Sequence, residues 1–386
     1  MIGWASAPIG LKIDFLGGEL IERHWGTGGM GAVGRRPTIH DVARAAAVSP
    51  ATVSNVLTGR RHVDPELAER VRAAVDELGY RRDVAASALR SAQRTVVGAV
   101  VPELSNPFFA EMVDRLEREA RTAGRRLLVA ASGSDPSEEL RQIEALIAWR
   151  PAGVIAVPCD GAFEGRALLE REGVPFVILD RPIDDGVRVD TIAVDNVAGA
   201  QEGAARLLEV GHRRLLVVAS KISIGNVRER LAGVDVAVAE VPDASAELLE
   251  AGIEVDEIAA AVTERLGRQP WPTVVLTLNN VLTLGTLKAA AALGIGIPEE
   301  LSLLGFDDYD WMEAYRPPLS AIRQPVAEMA HAAWDRLAVL SGAAPMPAMP
   351  EPCHVRLSCS LAWRGSVTVP RAFAEAKHQK DLVQPQ

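Results

Sequence analysis

From Val96 onward the chain alternates short apolar runs with amphipathic stretches, and this rhythm constrains the fold more than any other feature. Val96–Val101, Leu127–Ala131, Gly153–Pro158 and Pro175–Asp180 have strand length and almost no polar side chains. Helical spacing fills the gaps, over Phe108–Gly124, Ser137–Trp149 and Phe163–Glu172. The pattern resumes with Thr191–Val194, a helix to Val210, Leu215–Ala219, Thr273–Leu278 and Leu301–Phe306. Buried strands separated by helices predict an α/β fold of doubly wound parallel sheets, and there are enough strands for two. Such sheets bind ligands beyond the carboxyl ends of their strands, so the residues that follow the strands are the cleft candidates.

The segment ahead of the sheets has a different grammar. TIHDVARAAAVSPATVSNVL reads as two short helices and a tight turn. Thr38 caps the first, with Asp41 completing a capping box, and Ile39, Val42, Ala43 and Ala46 share one face. Ser49 caps the second and Pro50 takes its first position, where a missing N–H does no harm. Val53, Val56 and Leu57 form its apolar side. Ala51, Thr52, Ser54 and Asn55 point outward, with short side chains that let a helix lie deep in a DNA groove. Asp64-Pro65 starts a third helix, with Leu67, Val71, Ala74, Val75 and Leu78 inward and Gly79 at its end. Asp83 then opens a stretch to Arg90 that is too short to be a stable helix alone.

Charge is divided along the same line. The whole chain carries −10, yet residues 35–94 hold eleven Arg, no Lys and seven acidic residues, a net +4, which leaves −14 on the rest. A basic head on an acidic body confines phosphate attraction to the head. Arg60, Arg61, Arg81 and Arg82 are its candidate phosphate contacts. Cys159, Cys353 and Cys359 are odd in number and lack metal spacing, which points to inert thiols in a reduced, cytoplasmic setting. No apolar run approaches the ~20 residues of a membrane span. Residues 1–36 are Gly-rich, do not read as a signal peptide, and are expected to be disordered or a mis-called start, with Met30 as the alternative start.

Three pieces, DVARAAAVSPATVSNVL, VRAAVDELGYRRDVAASALRS and VVGAVVPELSNPFF, closely resemble the lactose-repressor (LacI) family of bacterial transcription regulators. The resemblance runs from about Pro37 to Ser366 and thins between Gly233 and Thr273. It implies a helix-turn-helix head at 37–82, a hinge helix and linker at 83–94, a two-lobed periplasmic-binding-protein-like body at 95–366 and a tail at 367–386. In that family the hinge helix folds on operator DNA and wedges a leucine into the minor groove; Ala86 and Leu89 hold the matching positions. The chain passes three times between the lobes, by this resemblance near Asp180, near Ser320–Gln324 and near Gly342.

The resemblance also marks an effector cleft. Phe108 and Phe109 follow the first strand as an apolar wall or as core residues, and Asp180 and Arg181 end the VILDRP strand, where an interlobe ion pair is the alternative reading. Arg230 matches the arginine that hydrogen-bonds the ligand, with Asn226 one helical turn earlier. Asn279 and Asp307 end two later strands. Such a set suits the hydroxyls of a small polar ring, a sugar for example. Two departures stand out. The family usually has Asn-Asp where this chain has Asn279-Asn280. It also expects an acidic-aromatic pair beyond Arg230, whereas Val234 to Gln269 contains no aromatic residue; Trp271 or Trp311 is left to substitute.

The implied protein is a homodimeric regulator, a repressor, reading a palindromic operator under control of a sugar-like effector, without cofactor or metal. No glycine-rich nucleotide loop, nucleophile elbow or metal-spaced His pair suggests an enzyme, and His212 reads as a loop residue. Two alternatives remain: a plain sugar-binding protein, which leaves the basic head unexplained, and a DNA-binding regulator without an effector.

Overall fold

The computed structural model describes residues 37–59, 61–81, 95–183, 188–343 and 352–370, which fall into two compact units divided near residue 90. Among the described residues the first unit holds three helices, α1 (Ile39–Ala45), α2 (Pro50–Thr58) and α3 (Pro65–Glu77). Each starts where the sequence supplies a cap. The Asp41 carboxylate accepts the Thr38 backbone N–H at 2.9 Å and the Thr38 hydroxyl at 2.7 Å. Ser49 Oγ accepts the Thr52 N–H at 3.1 Å, and Asp64 accepts the N–H groups of Glu66 and Leu67. Val42, Ala43, Ala46, Val53, Val71 and Ala74 form the small core, with Val56, Leu57, Val75 and Leu78 half-buried against it. Ala47, in the turn between α1 and α2, sits at φ 50, an unusual conformation for a side-chain-bearing residue. Arg70 of α3 holds that turn by donating to the Ala46 carbonyl at 2.5 Å.

The second unit is two parallel-sheet lobes. The first lobe receives β1 (Val96–Val101), α4 (Pro107–Thr122), β2 (Arg126–Ala131), α5 (Pro136–Ala148), β3 (Val154–Ala156), α6 (Gly165–Arg171), β4 (Phe176–Leu179) and β5 (Thr191–Val194). The second receives α7 (Asn196–Val210), β6 (Arg214–Ala219), α8 (Gly225–Ala239), β7 (Ser245–Glu250), α9 (Val255–Leu266), β8 (Val274–Thr277), α10 (Asn280–Leu293), β9 (Ser302–Phe306), α11 (Asp310–Ala314) and β10 (Ser320–Arg323). The chain returns through α12 (Val326–Leu340) and β11 (His354–Leu357) to the first lobe, and ends with β12 (Ser360–Ala362) in the second. The sheet orders are β11-β5-β4-β3-β1-β2 and β12-β10-β9-β8-β6-β7. All pairings are parallel except that of β12 with β10.

Strands covered on both faces explain the nearly continuous apolar runs. In the first lobe Val97, Val101, Val177 and Leu179 pack with Met112 and Leu116 of α4 and Met329 and Trp334 of α12. Val100, Val154 and Ile178 face the other way, against Ile143 of α5 and Leu169 of α6. In the second lobe α7 and α8 lie so close that a Cβ on Gly233 would stand 2.2 Å from the Val197 carbonyl oxygen.

Topology corrects two of the three expected crossings. The chain does not leave the first lobe near Asp180, because β5 still pairs beside β4; it crosses at Asp195. Nor does it cross near Gly342, since α12 packs on the first sheet and β11 extends it; the third crossing is at Ser358–Cys359. The second, just after Arg323, falls where expected. The edge strands β7, β11 and β12 escape the sequence reading because one side of each is exposed, which breaks up the apolar run.

Candidate functional site

On the head, α2 leaves Ala51 exposed and Thr52, Ser54 and Asn55 partly so. The caps that fix the helix use side chains from the same group: Ser49 Oγ lies 2.9 Å from the Thr52 hydroxyl as well as accepting its N–H, and the Thr38 hydroxyl is engaged by Asp41. Pro50 begins α2, while Arg61 and Arg81 are exposed. Arg60, Arg82, Ala86 and Leu89 lie outside the described residues, as do residues 1–36.

In the body, Asp180 follows β4 and Asp307 follows β9, strands that hold the same place in the two sheet orders. Both residues have left-handed backbones, φ 65 and φ 71, a conformation that Asp tolerates better than most residues. Each chain turns sharply off its strand, and both carboxylates end up buried between the lobes. Asp307 Oδ2 accepts the Asn280 backbone N–H at 3.2 Å and Asn280 Nδ2 at 3.0 Å, and Gln324 Nε2 donates to Oδ1 at 2.6 Å. Asn226 of α8 reaches from the second lobe to donate to Asp180 Oδ2 at 3.1 Å.

Arg230, also on α8, is 2 % exposed and held through two of its three nitrogens. Its Nε donates to Asn196 Oδ1 at 2.8 Å, its Nη1 donates to the Leu278 carbonyl at 2.6 Å, and its guanidinium stacks 3.6 Å from the centre of the Phe306 ring. Asn196 is in turn fixed by Glu229, which Arg356 of β11 grips with two bonds at 2.8 and 2.6 Å. Burial pushes the Asp180 carboxyl up to about 6, although Arg230 and Arg181 pull it down; the Asp307 charge adds to the rise. Among the described residues, Asp180 Oδ1, Arg230 Nη2 and Gln324 Oε1 are buried without a hydrogen-bond partner.

The other cleft candidates have more ordinary roles. Phe108 and Phe109 are both core residues, edge-on to each other at 5.2 Å, and only Phe108 borders the open groove of about 940 Å³ beside Asp307 and Gln324. Arg181 lies over Phe109 and donates to the Pro158 carbonyl at 3.1 Å. Its nearest approach to Asp180 is 4.0 Å, and both belong to the first lobe, so the alternative of an interlobe ion pair is wrong: β4 ends before the crossing. Asn279 spends its side-chain oxygen capping α10 and lines a small cavity of about 40 Å³. His212 is buried against the Thr273 hydroxyl at 2.9 Å, and burial pushes it down to about 4. Burial likewise pushes the Cys159 thiol up to about 12, far from the thiolate that reactivity requires.

Residues 94–336 match the family described as periplasmic binding proteins and sugar binding domain of LacI family, and residues 38–83 match bacterial regulatory proteins, lacI family. The chain belongs to the LacI family. It is accordingly a DNA-binding transcriptional regulator with a helix-turn-helix head. Among its relatives, the transcriptional regulator GalR of Escherichia coli (strain K12) is 33% identical over 88% of this chain and 98% of its own length. DegA of Bacillus subtilis (strain 168) is 28% identical over 76% of this chain and 88% of its own. Among solved structures, the lac repressor dimer bound to operator and the anti-inducer ONPF superposes with a TM-score of 0.75 at 26% identity, covering 86% of this chain and 100% of that one. A CelR–cellobiose complex gives 0.64 at 27% identity, over 86% of this chain and 100% of its own.

Against this family background the atypical wall takes a definite form. Beyond β7, Gly252 and Ile253 line the small cavity, and no aromatic residue is among its lining. Trp271 does not substitute for it: it precedes β8, at the amino end of the strand, and is 58% exposed. Trp311 is partly buried and borders the large groove. Sequence reasoning missed Asn106, Asn196, Asn280, Gln324 and Glu229. The only local signal was that several directly follow strand ends, at TIAVDN, TLNN and AIRQ.

Proposed function

We propose that this LacI-family regulator is a repressor that binds a palindromic operator as a homodimer in the bacterial cytoplasm, without enzymatic activity, and that a small neutral polyhydroxylated molecule of sugar class sets its DNA affinity. One observation carries the effector reading: Asp180 Oδ1, Arg230 Nη2 and Gln324 Oε1 are buried without partners around Asp307. Unpaired buried polar atoms are unfavourable, and two acceptors and a donor suit ligand hydroxyl groups, which both donate and accept. Asp180 and Asp307 against Arg181 and Arg230 give no excess charge, which suits a neutral ligand better than a phosphorylated one.

The DNA half rests on α2. Ala51, Thr52, Ser54 and Asn55 read base edges, Thr38, Ser49, Pro50, Arg60, Arg61 and Arg82 lie along phosphates, and Ala86 and Leu89 enter the minor groove when the hinge folds on DNA. Two-fold symmetry doubles a short half-site into a usable operator. The test is a thermal-shift screen of the full chain against neutral mono- and disaccharides, with purine bases and sugar phosphates as comparison sets. A ligand at a hundred times its Kd stabilises the fold by about 2.7 kcal/mol. A shift by a neutral sugar that also changes operator affinity supports the reading. Shifts confined to charged or purine ligands overturn the sugar class, and no shift with any of them leaves the regulator that needs no effector.

A further inference from the structure

We propose that Asn280 is an interlobe latch, whose bond to Asn106 couples the effector site to closure of the two lobes; this rests on the reading of the cleft as the effector site. Asn106 caps α4 in the first lobe, and its Oδ1 accepts the Phe108 N–H at 3.1 Å. Asn280 opens α10 in the second lobe and donates Nδ2 to that same Oδ1 at 2.9 Å. The orientation of each amide is fixed independently. Asn280 must turn Nδ2 toward Asp307, a pure acceptor, and Asn106 must turn its oxygen toward the Phe108 N–H.

The bond extends into a line from one lobe to the other, Asn106 to Asn280 to Asp307 to Gln324. It stands between the small cavity, which Asn106 borders, and the large groove, which Asp307 and Gln324 border. Asn280 and Asn106 are 4% and 9% exposed. The residue at 280 is an amide, which can donate to both Asp307 and Asn106. A carboxylate there would face Asp307 Oδ2 and Asn106 Oδ1 with no proton to donate, and Asn106 could not turn its amide without losing the cap. An amide therefore binds the lobes where a carboxylate would separate them. An effector that pairs with Asp307 or Gln324 acts on a group already tied to the opposite lobe, which is how its binding biases closure.

The test is hydrogen–deuterium exchange on the full chain with no sugar added, so its outcome is independent of whether the effector has been identified. Asn280→Asp removes the donor. Asn106→Ser keeps a capping oxygen for α4 but is too short to reach Asn280. Either single variant is expected to speed exchange roughly five-fold in the first turns of both α4 and α10, and the double variant to add nothing further. Faster exchange confined to the mutated lobe, or effects that multiply in the double variant, overturns the latch. If Asn280→Asp speeds exchange throughout the body, it has impaired folding, and Asn106→Ser alone then decides: faster exchange at α10 as well as α4 supports the latch, and faster exchange confined to the first lobe overturns it.

Discussion

Replacing Asp180 by Asn removes a charge that the fold holds at a disadvantage. The carboxyl is buried to 2% exposure and pushed up to about 6, from an ordinary value near 4, because lost hydration outweighs the pull of Arg230 and Arg181. Between those two values the folded chain retains a proton that the unfolded chain has released. Stability is therefore greatest below about pH 4 as far as this group is concerned, and falls as pH rises toward 6, by up to about 1.4 kcal/mol per pH unit. Over about two pH units the loss is of the order of 3 kcal/mol, fully present at pH 7. Asn resembles the protonated carboxyl in shape and keeps an oxygen for Asn226 Nδ2. Asp180→Asn should thus raise stability at pH 7 by up to that amount, flatten the slope between pH 4 and 6, and weaken effector binding, since an amide offers a ligand hydroxyl a weaker acceptor. Urea unfolding of variant and parent at pH 4, 5, 6 and 7 measures both effects, and ligand titration measures the third. A variant less stable than its parent at pH 7 would refute the reasoning, since the ionised carboxylate would then be net favourable beside its two guanidinium groups.

Arg230→Met keeps bulk against Phe306 but leaves Asn196 Oδ1 and the Leu278 carbonyl without their donor. It should lower unfolding free energy by roughly 2–5 kcal/mol and abolish the effector response, as denaturant titration and operator binding with ligand will show. Gly225→Ala places a Cβ 2.2 Å from the Pro182 carbonyl oxygen of the opposite lobe. The expected result is a fold weakened by roughly 1–3 kcal/mol with lowered effector affinity, and unchanged melting would mean that the lobes separate freely there. Asn55→Ala should relax preference at one base pair per half-site by roughly 1–3 kcal/mol in binding to operator variants. An equal loss on every sequence would make Asn55 a phosphate contact instead.

Local chemistry was legible in the sequence. The caps at Thr38, Ser49 and Asp64 and the strand at Val96–Val101 depend on neighbouring residues and on burial of both sheet faces, so spacing alone announces them. The ends of the strands pointed to Asp180 and Asp307, the family resemblance pointed to Arg230 with Asn226 one turn before it, and the structure brings these four together. What only the tertiary structure decided depends on which lobe each segment joins. β5 and β11 carry too little pattern to show that they extend the first sheet, so two crossings were misplaced by the sequence reading. Asn106 and Asn280 are 174 positions apart, and nothing near either one announces a partner. The bond exists because Asn106, held as the cap of α4, and Asn280, held by Asp307 at the start of α10, are brought face to face when the lobes meet.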